Sequence, residues 1–238
     1  MRTDLKDNYW QITPDKPLAL QLAKRLVSEY VFDAVRLEGI NYTLPEVKTL
    51  LDGITVGGHK NEEQDIVINQ GKAWKHLFKI VQNKQFNLSA KVACEIHKIA
   101  AKEEAMTWGK FRNTGVSIAG TDYLPPDPRH LDELFSKMIR DAEKYNDIYD
   151  KAFFVFLNMS RTQYFHDVNK RTGRFMMNGI LLDKGYPPIN VRANRQQEFN
   201  EKMIEFYNTG EMKPMNLFLR SCMDPKIKEI MKSNTLSR

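Results

Sequence analysis

The side chains best suited to chemistry in this chain lie between residues 163 and 174. The segment reads Gln-Tyr-Phe-His-Asp-Val-Asn-Lys-Arg-Thr-Gly-Arg, which places a carboxylate, an amide and two arginines close together. Asp167 can hold a divalent cation together with substrate phosphates, and Asn169 can orient a polar group. Arg171 and Arg174 have the forked geometry that suits phosphate oxygens. The segment therefore predicts a site for a phosphate-bearing ligand.

Helical periodicity flanks this segment on both sides. One helix is predicted over 147–162 and a second over 172–184. The first turn of a helix presents free N–H groups and the positive end of the helix dipole, which together suit an anion. Thr172 and Gly173 would begin the second helix, and Gly173 would let a phosphate approach the backbone. On spacing alone, a charged helix start with ordinary surface ion pairs explains the pattern equally well.

The rest of the chain is also mainly helical in pattern. Further helices are predicted over 17–37, 43–53, 62–82, 89–104, 128–145, 195–208 and 214–222. The pattern changes over 109–126, where glycines and a Pro-Pro pair predict a β-hairpin. The lysine-rich residues after Asp224 are weakly patterned and are predicted to be loose. The fold class that follows is all-α with one small hairpin, in a single domain over 1–238.

Composition is that of an ordinary globular protein, with 42% hydrophobic and 28% charged residues. A net charge of +6 permits an acidic partner such as nucleotide, nucleic acid or an anionic protein without selecting one. Nucleic acid is disfavoured because no basic-aromatic interleaving occurs. No apolar run approaches the ~20 residues that span a bilayer. Cys94 and Cys222 lie far apart in sequence, in apolar helical contexts and without metal-ligand spacing. Reduced core thiols in a cytoplasmic protein are therefore expected.

Residues 163–174 resemble the signature loop of the Fic/Doc family, His-x-Phe-x-Asp/Glu-x-Asn-Gly/Lys-Arg-x-x-Arg. Every key position matches except the first, where Gln163 stands in place of the catalytic histidine. The resemblance implies a helical core over 89–190, Mg²⁺ on Asp167 and catalytic roles around it. It also implies ATP phosphates held at Asn169, Lys170, Arg171, Thr172, Gly173 and Arg174. Val168 departs from the usual Gly or Ala, and Lys170 resembles the Doc branch, whose members include protein kinases.

Residues 109–126 resemble the flap of the same family. In relatives the flap aligns a segment of the target protein as an added strand and so presents its hydroxyl to the phosphate. The alternating Val116, Ser117 and Ile118 are the expected docking residues, because backbone pairing gives affinity with little demand on sequence. Taken alone, the segment fits a plain surface hairpin as well.

Residues 34–39, Ala-Val-Arg-Leu-Glu-Gly, resemble the inhibitory motif Ser/Thr-x-x-x-Glu-Gly/Asn within an N-terminal region over 1–53. In relatives the glutamate pairs with the second arginine and blocks productive binding of the γ-phosphate. The resemblance implies that Glu38 does so with Arg174, and Ala34 lacks the usual supporting hydroxyl. By itself Glu38 fits a solvated charge at a helix end.

Gln163 alters the expected mechanism, because the family histidine takes the proton of the target hydroxyl and glutamine has no basic pKa. Loss of a general base costs ~10²–10⁴-fold in rate, and His166 is predicted to face solvent or phosphate instead of replacing it. The resemblance implies an autoinhibited enzyme that binds Mg–ATP and transfers AMP to a protein hydroxyl. A non-catalytic nucleotide-binding regulator and a Doc-like phosphotransferase stay open. So does a homo-oligomer that gates Glu38.

Overall fold

The computed structural model describes residues 12–236, and their side chains as far as residue 232. The helices are α1 (Lys16–Arg25), α2 (Val27–Leu37), α3 (Leu44–Leu51), α4 (Asn61–Gln82), α5 (Ala90–Ala100), α6 (Leu131–Ala142), α7 (Ile148–Thr162), α8 (Asn169–Asp183), α9 (Gln196–Thr209), α10 (Lys213–Ser221) and α11 (Pro225–Leu236). Short 3-10 turns precede α6 and α9. The all-α prediction is confirmed, and no strand occurs within residues 12–236.

Local sequence signals explain where several helices begin and end. At the start of α3, the Glu46 carboxylate accepts the Thr43 N–H at 2.7 Å, and the Thr43 hydroxyl accepts the Glu46 N–H at 3.4 Å. This reciprocal capping satisfies two backbone donors that have no partner inside the helix. The predicted helix over 17–37 is divided at Leu26, which separates α1 from α2.

The prediction that the residues after Asp224 are loose is wrong for residues 225–236, which form α11. Asp224 caps α11, because its carboxylate accepts the N–H groups of Lys226 at 2.9 Å and Ile227 at 3.3 Å. Ile227 and Met231, four residues apart on one helix face, are both buried in the core. Two apolar residues at helical spacing therefore suffice to dock this basic segment.

The core forms around the antiparallel pair α7 and α8, and α4 and α5 pack against the other side of α8. Gly173 lies where α7 and α8 come closest. A Cβ at this position would lie 3.2 Å from the carbonyl oxygen of Phe156 and 3.2 Å from its ring. The glycine therefore permits helix packing, which differs from the approach of phosphate that the sequence predicted for it.

The predicted β-hairpin over 109–126 is a loop without strands, and no backbone hydrogen bond joins its two arms in the described structure. Its tip packs on α9, since a Cβ on Gly120 would lie 3.0 Å from the Ile204 side chain. Val116 and Ile118 are half-buried and Ser117 is exposed, so the alternation itself is present. We call this loop the flap. Contacts with α9 and side-chain hydrogen bonds hold it, instead of backbone hydrogen bonds between two strands.

Among residues 12–236, none of the helices combines the length and the apolar character that crossing a bilayer requires.

Candidate functional site

A cleft of about 420 Å³ is lined by most of the residues that the sequence predicted to belong to a functional site. The signature loop, over 163–174, supplies Gln163, Asp167, Asn169, Lys170 and Arg171. Ser117 and Ile118 of the flap form one edge, and Glu38 closes the cleft from the end of α2. Three segments that are distant in sequence therefore meet at one place.

The signature loop turns into α8 three residues earlier than the sequence predicted. Val168 is the N-cap, with φ 59° and ψ 21°, and Asn169 is the first helical residue. A left-handed conformation is unusual for a β-branched residue. Thr172 is fully buried, and its hydroxyl donates to the Val168 carbonyl at 2.8 Å. Thr172 and Gly173 thus lie in the protein interior and do not line the cleft.

Gln163 ends α7 in a left-handed conformation, with φ 53°. Its amide nitrogen donates to the Ser160 carbonyl at 2.6 Å, and its amide oxygen accepts from Asn169 Nδ2 at 2.8 Å. The Asn169 side chain also bridges the backbone N–H of Phe165 at 2.9 Å and its carbonyl at 2.8 Å. Asn169 therefore shapes the loop, and Gln163 uses both ends of its amide within it.

Asp167 is exposed at the cleft. Its Oδ1 accepts the Val168 N–H at 2.6 Å, and its Oδ2 has no hydrogen-bond or ion-pair partner among the described residues. Within residues 12–232, no three His, Cys, Asp or Glu side chains converge as a metal site. A single free carboxylate oxygen fits Mg²⁺ only when the ligand itself contributes oxygens, as phosphates do.

Glu38 lies among three cations. Its carboxylate is 3.5 Å from Lys170 Nζ, 3.9 Å from Arg171 Nε and 3.5 Å from Arg174 Nη2. Burial raises the pKa of Glu38, but the charges of Arg171, Lys170 and Arg174 together hold it below its ordinary value. The carboxylate is thus ionised and occupies the position that the cations would offer to an anion.

The two signature arginines have different surroundings. Arg171 places both terminal nitrogens on the carboxylate of Glu104, one of them at 2.8 Å. Arg174 is only 11% exposed, and its one ion-pair partner in the described structure is Glu38 at 3.5 Å. Burial lowers the pKa of Arg174, although Glu38 opposes this. Arg174 therefore retains N–H donors that no described residue accepts.

The sequence profile of the Fic/DOC family matches residues 87–181, which include α5, the flap and the whole signature loop. Residues 87–181 form a Fic/DOC domain.

Curated relatives extend the similarity beyond the domain itself. The protein adenylyltransferase Fic of Aedes aegypti is 23% identical over 231 residues, covering 94% of this chain and 46% of the relative. The protein of the same name from Drosophila grimshawi is 25% identical, covering 87% of this chain and 43% of the relative. The chain thus spans less than half the length of these relatives.

Solved structures share the fold. Fic-1 of Caenorhabditis elegans (residues 134–508) superposes with a TM-score of 0.79 at 18% identity, covering 97% of this chain and 70% of that one. A Fic domain containing signaling protein from Bacteroides thetaiotaomicron gives 0.70 at 16% identity, covering 94% and 90%. The helical architecture around the Fic/DOC domain is therefore the common feature.

Arg112 is a site residue of the Fic/DOC domain that the sequence did not single out. Its guanidinium, buried to 3% exposure, donates to the carbonyls of Gln163 at 2.6 Å, Thr114 at 2.7 Å and Pro126 at 2.5 Å. One side chain thereby ties both ends of the flap to the signature loop. A lone arginine between two glycines of a predicted hairpin was the only sequence signal for it.

The apolar wall of the cleft was also missed. Met203, Ile204 and Tyr207 line it from α9, opposite the signature loop. Their spacing predicts the buried face of a helix, and Met203 and Tyr207 are indeed almost fully buried. Nothing in that spacing distinguishes a core face from the wall of a binding site.

His166 lies beside the loop but engages hydroxyls. Its Nδ1 lies 3.0 Å from the Thr107 hydroxyl and its Nε2 lies 3.1 Å from the Thr114 hydroxyl. The ring therefore connects the signature loop to the residues around the flap. Both nitrogens are occupied, which agrees with the interpretation that His166 does not replace the missing base.

His97 supports the loop from beneath. Its Nδ1 accepts the Gly109 N–H at 3.0 Å, so the neutral ring donates from Nε2 to the Asp167 carbonyl at 3.2 Å. The ring also stacks on Phe165 with centroids 3.8 Å apart. Burial, opposed by the Asp167 carbonyl and reinforced by Arg171 and His166, lowers the pKa of His97 to about 4.

This depressed pKa predicts a loss of stability in mild acid. The unfolded chain takes up a proton on His97 near pH 6.5, whereas the folded chain does so near pH 4. Because the unfolded state binds the extra proton, stability falls as pH decreases between these values, by about 3 kcal/mol in total. Urea unfolding between pH 7 and 4 should show this slope, and His97→Gln should flatten it. Equal slopes for wild type and His97→Gln would contradict the prediction.

Proposed function

We propose that this chain binds ATP with Mg²⁺ and transfers AMP to a hydroxyl group of a protein, under inhibition by Glu38. The observation that carries the proposal is the buried Arg174, whose one ion-pair partner among the described residues is Glu38, which lines the same cleft as Asp167. A buried guanidinium with spare donors next to a free carboxylate suits phosphates that arrive with a cation. The relatives named protein adenylyltransferase support AMP as the transferred group.

Each part of the cleft then has a task. Asp167 Oδ2 would share the cation with phosphate oxygens, and Mg²⁺ would neutralise charge on the triphosphate. Lys170 and Arg174 would bind phosphate once Glu38 is displaced, because both cations share the Glu38 carboxylate. The apolar wall on α9 offers a surface for the nucleoside, and the flap would orient the target.

The proposed reaction joins the target hydroxyl oxygen to the α-phosphorus of ATP, and pyrophosphate leaves. The hydroxyl proton passes to solvent water, because the Gln163 amide oxygen can accept a hydrogen bond but is not basic enough to take the proton. Transfer therefore relies on positioning and on charge stabilisation, which carry much of phosphoryl-type catalysis. We expect slow turnover compared with a site that has histidine at this position.

A second candidate is a nucleotide-binding regulator without transferase activity. The engagement of Gln163 with Ser160 and Asn169 favours it, because the amide completes the loop as a structural group. A Doc-like phosphotransferase has weaker support, since its marker Lys170 is paired with Glu38.

Protein mass spectrometry separates these functions. Glu38→Gly protein would be incubated with Mg²⁺ and ATP, alone and with a mixture of acceptor proteins. An AMP-sized addition that disappears in Glu38→Gly/Asp167→Asn supports the proposed transferase. A phosphate-sized addition supports the Doc-like alternative. ATP binding without any addition leaves the regulator, and absence of ATP binding contradicts the nucleotide site itself.

A further inference from the structure

We propose that Glu104 is a positioning residue, which holds the two terminal nitrogens of the Arg171 guanidinium away from the cleft. The terminal nitrogens of Arg174 then bind the phosphate. Arg171 would then serve bound phosphate only through its Nε edge and its fixed charge. This inference rests on the proposed function, because it assigns different tasks to two residues of the same nucleotide site.

The contacts of Arg171 carry the proposal. Both terminal nitrogens are on Glu104, and the guanidinium is 5% exposed, against 17% for the Glu104 side chain. Arg171 lines the cleft and Glu104 does not, so the pair extends away from the ligand space. The Nε edge is the part of Arg171 that approaches Glu38, at 3.9 Å.

The segment that carries Glu104 is itself anchored. It follows α5, and two side chains of α4 bind its backbone: Asn69 Nδ2 donates to the Lys102 carbonyl and Gln70 Nε2 to the Ala100 carbonyl, each at 3.1 Å. The Glu104 N–H donates to the Ala101 carbonyl at 3.1 Å. Both α4 amides are nearly inaccessible to solvent. A carboxylate on so fixed a backbone can define the orientation of a long side chain.

The energetic comparison favours Arg174 for the fork. For a phosphate to take the terminal nitrogens of Arg171, a bidentate charge-assisted pair must break and leave Glu104 half-buried and unpaired. Arg174 requires that Glu38 leave Lys170, Arg171 and Arg174, but these three contacts are 3.5–3.9 Å long and none of them is a bidentate pair. Phosphate therefore gains more at Arg174 than at Arg171.

Nucleotide binding in the Glu38→Gly background tests the positioning role. We would measure the affinities of Mg–ATP and adenosine by calorimetry for added Glu104→Gln, Glu104→Asp and the control Glu103→Gln. Glu103 is adjacent and 61% exposed, and within the described part of the chain its ion-pair partner is Lys102, at 3.3 Å. We expect Glu104→Gln to weaken ATP binding about tenfold, because Arg171 Nε would lose its fixed position and with it one charge-assisted hydrogen bond to phosphate. The affinity for adenosine, which lacks phosphate, should stay unchanged.

Glu104→Asp keeps the charge and withdraws the carboxylate by one methylene group, so a similar loss of ATP affinity there identifies geometry as the cause. If Glu104→Gln does not fold, the ATP affinity of Glu104→Asp tests the proposal on its own. Tighter ATP binding in Glu104→Gln would show that Glu104 competes with phosphate and would overturn the proposal, as would Glu104 variants equal to Glu103→Gln. Glu38→Gly protein that binds neither ligand would overturn the proposed function as well, which distinguishes the two failures.

Discussion

Glu38→Gly should bind Mg–ATP roughly 10- to 100-fold more tightly than the wild-type chain, the largest effect on binding that we expect from a single substitution. The Glu38 carboxylate now pairs with Lys170, Arg171 and Arg174. Nucleotide must displace it before its phosphates reach the same cations. Removing one competing hydrogen-bonded charge is worth about 1.5–3 kcal/mol, which corresponds to the stated range of affinity.

Calorimetric titration at fixed salt measures this effect directly. Adenosine is the matched ligand control, because it lacks phosphates and its affinity should stay unchanged. Glu38→Gln should fall between wild type and Glu38→Gly, since it removes the charge but keeps the side chain in place. If Glu38→Gly gains no ATP affinity, Glu38 does not obstruct the phosphate position and the inhibitory role is wrong.

Gln163→His, introduced into Glu38→Gly protein, should raise the rate of AMP transfer by ~10²–10⁴-fold, the usual contribution of a general base. The local geometry already suits a histidine. The Ser160 carbonyl, which accepts from the Gln163 amide at 2.6 Å, is positioned to accept a ring N–H. The other ring nitrogen would then face the cleft and could take the hydroxyl proton.

Single-turnover transfer followed across pH 5 to 9 tests the substitution. We expect the transfer rate of this double variant to rise with pH around the ordinary histidine pKa of about 6.5. Glu38→Gly protein, which keeps Gln163, should not show this rise. Gln163→Ala is the control for merely opening the loop and should not raise the rate. If histidine gives no activity while ATP still binds, the missing base is not the limiting feature, and the nucleotide-binding regulator is the better function.

The sequence predicted most of the helices and the composition of the cleft. Apolar residues at helical spacing defined the helices, because burial of one face leaves a periodic trace. Asp167, Lys170 and Glu38 were brought together through the resemblance of separate segments to one family, and the structure places all three in one cleft. Their proposed roles with nucleotide remain for the experiments above.

Other features depend on tertiary contacts that leave no periodic trace. The Glu104–Arg171 pair joins residues far apart in sequence, so neither side chain indicates the other. The flap has no strands, and it is held by hydrogen bonds from Arg112 and by packing on α9, which no sequence pattern indicates. Gly173 serves the crossing of α7 and α8, a role that a glycine near a predicted phosphate site does not reveal.

The contacts of Arg112 have a consequence for how this site can diverge. All three of its side-chain hydrogen bonds go to main-chain carbonyls, at Gln163, Thr114 and Pro126. Such a bond is indifferent to which side chain the acceptor residue carries. The anchoring of the flap at position 163 therefore does not depend on the side chain there, whose amide makes its own contacts with Ser160 and Asn169. We therefore expect the flap to keep its place in Gln163→His protein, so that this substitution changes the chemistry of the side chain without moving the flap.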